Sequence, residues 1–154
     1  MDLFKQYYLP AIKSKKIARF NLFTLTDDAE QNDHCDHVYH KSLLYLVSNA
    51  FEQRRREPIL GMEICVLSDS ELPALFRTRG CAWIRSPNKR PAGTADAATA
   101  QHHGDFDDDP ATLRATLARI VQADAVTANF GFERTASSLR QRRQRLVPQT
   151  RDGS

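Results

Sequence analysis

The segment 17–25, IARFNLFTL, carries a single charged residue, Arg19, among aliphatic and aromatic neighbours. Its side chains show no strict apolar/polar alternation, so a strand built from them is apolar on both faces. Such a strand is stable only where a sheet is covered on both sides, the situation of parallel sheets flanked by helices. Thr26-Asp27-Asp28 then supplies a turn signal that ends it.

The rest of the chain alternates in a way that fits that environment. Residues 2–13 are amphipathic but contain Pro10, and read as a short helix or an extended lead-in. Residues 38–53 have the length and the Leu/Ala content of a helix, with Leu43, Leu46, Val47, Ala50 and Phe51 spaced to form its buried stripe. Arg54-Arg55-Arg56 suits the negative end of that helix, and Pro58 stops it. Residues 59–67, ILGMEICVL, read as a second strand, and 70–77 as a short helix with Pro73 in its first turn. Residues 81–85, CAWIR, read as a third short strand, with Trp83 and Ile84 packing in the core. The stretch 86–101 has no periodicity and reads as a long loop, of the kind that is functional or mobile. The last helix, 109–123, opens on Asp109 as N-cap and Pro110 as first helical residue, with Leu113, Leu117, Ile120 and Val121 on one face. This order predicts an α/β domain: a partial, mostly parallel sheet with flanking helices. No internal repeat occurs.

The formal charge of +3 is unevenly placed. Six arginines between Arg134 and Arg151 face only Glu133 and Asp152, so residues 133–154 hold an excess of four positive charges and the remainder sums to −1. The expected division is a domain over 1–132 and a basic, disordered tail over 133–154. The tail lacks interleaved aromatics, so it reads as a solvated charge run and not as a nucleic-acid platform. No apolar run approaches the roughly 20 residues needed to span a bilayer, and no membrane partner is expected. Asp2 stands where a signal peptide would be basic. Cys35, Cys65 and Cys81 have no close CxxC spacing, and Cys65 sits in an apolar run as a small buried hydrophobe. An odd, scattered set of thiols fits a reducing compartment, so the expected location is the cytoplasm.

Functional groups of open α/β sheets gather beyond the carboxyl ends of the strands. Asp27 leaves the first strand there, and His103 precedes the last helix. Together they form an acid–histidine pair in which the carboxylate orients the imidazole and stabilises its charged form. The competing structural reading has Asp27 capping a turn and His103 exposed in a loop.

The stretch His103-Gly104-Asp105-Phe106-Asp107-Asp108-Asp109-Pro110 resembles the catalytic-histidine loop of α/β-hydrolases, and Phe23-Thr24-Leu25-Thr26-Asp27 resembles the strand end that carries their acid. From FNLFTLTDDAEQ through KSLLYLVSNAFE to PILGM, the chain resembles the C-terminal half of a group of uncharacterised bacterial proteins of α/β-hydrolase type, over about residues 1–125. The resemblance implies Asp27 as the acid, with Asp33 and Asp69 as alternates, and His103 as the histidine, with His102 as alternate. Asp105 stands where the pattern has a second glycine. The family runs Ser, acid, His, with the serine in a G-x-S-x-G elbow. No such motif is present, and only 26 residues precede Asp27. An acid and a histidine without a nucleophile do not run acyl transfer. The resemblance therefore implies a truncated or degenerate serine hydrolase, esterase-like in its complete form, inactive alone and without a cofactor. An N-terminal hydrolase fragment supplying the serine is the implied partner.

Two alternatives stay open. One is a non-catalytic interaction module that uses its sheet edge and basic tail. The other is a small zinc protein built on Asp33, His34, Cys35, Asp36, His37 and His40, although these lack the two spaced ligand pairs of structural zinc sites. The run Asp105, Asp107, Asp108 and Asp109 lacks the EF-hand glycine and glutamate, and helix capping accounts for much of it.

Overall fold

The structure is a computed structural model and describes residues 1–33, 41–51 and 56–126. Its centre is a pair of adjacent parallel strands, β1 (Phe20–Leu25) and β2 (Cys81–Ser86), in register from Phe20 opposite Cys81 to Leu25 opposite Ser86. These are the first and third of the strand segments expected from sequence. A π-helical turn (Phe4–Tyr8) leads into α1 (Leu9–Lys13), and α2 (Asp27–Asn32) comes directly after β1. Next come α3 (Leu43–Leu46), continued by a π-helical turn (Val47–Phe51), then α4 (Glu63–Ser68) and α5 (Leu72–Leu75). Beyond β2 stand a 3-10 turn (His103–Asp105) and α6 (Pro110–Val121).

Side chains alternate across a strand, so the sheet presents two faces. On one, Phe20, Leu22, Cys81 and Trp83 pack against a core of Phe4, Leu9, Ile12, Val66, Leu72 and Leu75 from α1, α4, α5 and the turn before α1. The indole Nε1–H of Trp83 donates to Thr24 Oγ1 at 2.9 Å, and its ring lies 5.8 Å from that of Phe76. On the other face Leu25 and Ile84 are buried, and Arg119 of α6 donates to Asn21 Oδ1 at 3.1 Å. The domain is thus mixed α/β, a small parallel sheet flanked by helices.

Three expectations are corrected. Residues 59–67 are not a strand: 63–68 form α4, with Met62 and Val66 buried and Ile64 and Leu67 exposed. A short apolar run does not separate helix from strand by periodicity, and here Glu63 decides. Standing at the start of the helix, it is buried and receives the Asp27 N–H at 2.6 Å and an Arg85 Nη1–H at 2.8 Å, which tie α4 to the strand ends. The stripe predicted on 38–53 is not the buried one either. Leu43 and Phe51 are exposed, the latter at 73%, Leu46 and Val47 are half-buried, and Ser42 and Ser48 turn inward. The helix is π-helical from Val47 to Phe51, so these residues do not keep the 3.6-residue spacing on which the predicted stripe rests.

On α6, Ile120 and Val121 are exposed, Leu113 and Leu117 are half-buried, and Ala111, Ala115 and Ala118 face inward. The buried face of this helix is thus lined by small side chains, with Thr112 among them. Its start is as expected: Asp109 accepts the N–H groups of Ala111 and Thr112, and it also ties in Thr99 and Ala100. The loop after β2 is packed, with Ala97, Ala98 and Ala100 buried and the Ser86 hydroxyl donating to the Ala100 carbonyl at 2.7 Å. Cys65 is half-buried. The basic tail over 133–154, Arg54 and Arg55, and His34, Cys35, Asp36, His37 and His40 lie outside the described residues.

Candidate functional site

Both strands end at the same level, and three segments meet beyond them. The β1 ladder is prolonged by the Thr26 N–H donating to the Ser86 carbonyl at 2.7 Å. Thr26 then caps α2, accepting the Ala29 N–H on its hydroxyl. The first turn of α2 therefore stands over the strand ends, and one turn on its acidic side chains reach the segment beyond β2. That segment carries His102 and His103.

His103 meets Glu30. Its Nε2 lies 2.7 Å from Glu30 Oε1, and Glu30 is fully buried whereas the His103 side chain keeps 31% of its surface. The second Glu30 oxygen accepts the hydroxyl of buried Ser42, and the Ser42 N–H donates to the Glu30 carbonyl at 3.0 Å. One turn further along α2's end, Asp33 Oδ1 lies 2.9 Å from His102 Nδ1, and Asp33 Oδ2 accepts the His103 N–H at 3.3 Å. Two carboxylates from one helical turn thus hold two consecutive histidines. Burial pulls the His103 pKa down, but the Glu30 hydrogen bond and the charges of Glu30 and Asp33 outweigh it, and the net shift is upward.

Asp27 is placed beside this pair and is occupied otherwise. Its oxygens accept Tyr45 Oη–H at 2.5 Å and Gln31 Nε2–H at 2.6 Å. Burial and the Asp27 carboxylate both raise the Tyr45 pKa, so this phenol stays a donor. Among the described residues no hydrogen bond or ion pair joins Asp27 to His103. The structure brings together the alternates Asp33 and His102, and it gives His103 an acid, Glu30, that the sequence pattern did not single out. Asp69 lies elsewhere: it accepts the Glu71 and Leu72 N–H groups at the start of α5 and pairs with Lys5 at 2.9 Å.

Glu30 and Ser42 are the residues that sequence reasoning missed. The available signal was spacing, since Glu30 is one helical turn past Asp27 on a helix capped by Thr26, while a search confined to the strand end stops at Asp27. Asp105 accepts the N–H groups of Gln101 and His102 and closes the histidine turn. Asp109 is structural: burial acts to raise its pKa, but the Thr112 and Thr99 hydrogen bonds prevail and hold it down to about 2.

Chemically, the arrangement supplies an imidazole with one nitrogen fixed by a buried carboxylate. With Nε2 held by Glu30, Nδ1 is the nitrogen left to take up a proton. Ser42 is no nucleophile here, because its hydroxyl is buried and donates to the carboxylate. Among the described residues, no group of three or more His, Cys, Asp or Glu side chains stands close enough to hold a metal ion, and no helix is long and apolar enough to cross a membrane. Compared with protein-family models, with curated proteins and with solved structures, the chain matches none.

Proposed function

We propose that this chain carries the acid–histidine half of a serine-hydrolase site of the α/β-hydrolase type, with Glu30 as the acid and His103 as the base. The observation that carries the reading is the 2.7 Å pair of His103 with a fully buried carboxylate, beyond the carboxyl ends of two adjacent parallel strands. The acid comes after one strand and the histidine after its neighbour, the chain order in which a hydrolase triad places them. His103 takes the proton of an attacking hydroxyl on Nδ1 and returns it to the leaving group, while Glu30 on Nε2 stabilises the imidazolium formed in between; the two ring nitrogens exchange the places they hold in the usual triad, where the acid sits on Nδ1. Ser42 holds the second carboxylate oxygen and keeps Glu30 from turning away. Asp27, the acid expected from sequence, fixes Tyr45 and so positions α3 against α2.

The nucleophile of such a site would come from outside these 154 residues, which contain no G-x-S-x-G elbow. The substrate class is a carboxylic ester, and no cofactor takes part.

The test is complementation. Mixing this chain with a polypeptide bearing the strand-and-elbow half should give hydrolysis of p-nitrophenyl butyrate and fluorophosphonate labelling of the partner serine. His103→Ala and Glu30→Ala should each abolish turnover, and Asp27→Asn should spare most of it. Hydrolysis that survives His103→Ala would sink the reading. A second reading, a non-catalytic interaction module, draws support from the exposed Ile64 and Leu67 of α4 and Ile120 and Val121 of α6. It predicts complex formation without turnover.

A further inference from the structure

At the opposite end of the sheet, where both strands begin, the surface opens into a cavity of about 870 Å³. Its walls are the end of α1, the 15–19 segment, the turn before β2 and the last turn of α6. Ile12, Ile17 and Leu75 give it an apolar floor. Five cationic side chains line it, and two of them are neutralised within the fold: Lys13 by Glu71 at 2.6 Å, and Arg119 by Asp96. Lys15, Arg19 and Arg79 differ. Among the described residues no carboxylate lies within ion-pair distance of them, and the one acidic residue of the lining is Asp124.

We propose that this cavity binds a soluble phosphomonoester with a short apolar chain. Three cations facing one space repel each other, and an anion placed between them relieves that repulsion. Set against Asp124, they leave an excess of two positive charges, which matches a phosphate dianion better than a carboxylate. Arg19 donates Nη1–H to the Arg119 carbonyl at 3.3 Å, which holds its guanidinium at the cavity wall, and its remaining N–H groups together with those of Arg79 are donors of the kind that phosphate oxygens accept. The apolar floor receives the hydrocarbon, where each buried methylene adds about fourfold in affinity. Gly80 belongs to this site through its backbone: its φ is +91°, and a Cβ there would stand 2.6 Å from the Ala18 carbonyl oxygen, so the turn bearing Arg79 keeps one course. The site lies at the end of the sheet away from His103 and stands independently of the hydrolase reading.

Isothermal titration calorimetry of the full chain with octyl phosphate below its micellar concentration tests this. Saturable 1:1 binding that weakens with salt is expected, with octanoate and inorganic phosphate each binding more weakly. Arg79→Ala should lower affinity about tenfold, and Asp124→Asn should raise it about threefold. His103→Ala should leave it unchanged. These arginines are on the surface, so circular dichroism of each variant should match the parent. Phosphatidylcholine vesicles containing phosphatidic acid separate a lipid headgroup from a soluble ester. Absence of saturable octyl phosphate binding overturns the proposal, as does binding indifferent to both Arg79→Ala and Arg19→Ala, octanoate binding as tightly as the phosphate, or capture by vesicles alone.

Discussion

Replacing Glu30 by glutamine keeps the volume of the side chain and removes its charge. In the parent, Glu30 is fully buried and makes a bond to the His103 ring at 2.7 Å and one to the Ser42 hydroxyl. The amide retains one acceptor oxygen and loses the charge-assisted bond to a protonated imidazole, a cost of about 1.5–3 kcal/mol. That cost depends on pH. The folded pKa of His103 lies above its ordinary value of 6.5, so folding takes up a proton between the two values. The stabilisation from the pair is complete below 6.5 and is lost as pH rises through the folded pKa. In neutral form the ring still hydrogen-bonds an amide, so at high pH the variant differs from the parent by about 1 kcal/mol. Urea unfolding from pH 5.5 to 9, monitored by circular dichroism, should show the gap between parent and Glu30→Gln narrowing as pH rises. The His103 Cε1–H resonance should titrate lower in the variant. A gap that is the same at pH 6 and pH 9, or a His103 titration unmoved by the substitution, would refute the pairing as the source of the shift.

Three further outcomes rest on the local bonding. Asp109→Asn should cost about 2 kcal/mol at neutral pH. The depressed carboxylate stabilises the fold above 3.8, and that contribution is lost as pH falls through about 2, so parent and variant should converge in acid unfolding. Gly80→Ala should destabilise by about 2 kcal/mol or more, read as a fall in calorimetric Tm, because the residue sits at φ +91° against the Ala18 carbonyl. Ser42→Ala removes the donor to the buried Glu30 oxygen and should cost about 1–3 kcal/mol in urea unfolding without changing the His103 partner.

Features that depend on near neighbours were legible in the sequence. The largely apolar composition of β1 announces a strand covered over most of its surface, and all but Asn21 of its residues are buried or half-buried. Asp109-Pro110 starts α6 through bonds that reach only two and three residues ahead. The failures came where distant partners decide. Glu63 turns 63–68 into a helix over the sheet edge by binding groups at Asp27 and Arg85, and nothing within ILGMEICVL reveals either one. On α6 the inward face is the one set by the Asp109 cap and the packed loop before it, so alanines lie inside and Ile120 stays 69% exposed. At the candidate site, Asp27 and His103 both lie beyond the strand ends, as the strand order led one to expect, but they are not bonded to each other. The choice of acid depends on the rotation of α2, which carries Glu30 to the ring and leaves Asp27 to Tyr45.

The two histidines take their spacing from α2. Glu30 and Asp33 are three residues apart, a rise of about 4.5 Å along a helix, and each holds one ring. The separation of the imidazoles is therefore inherited from helical pitch and owes little to the long connection after β2. Lengthening or shortening that connection among its exposed residues should be tolerated, as surface loops are. Inserting one residue between Glu30 and Asp33 would swing the second acid by about 100° and release the His102 ring and the His103 N–H, while the His103 ring keeps its bond to Glu30.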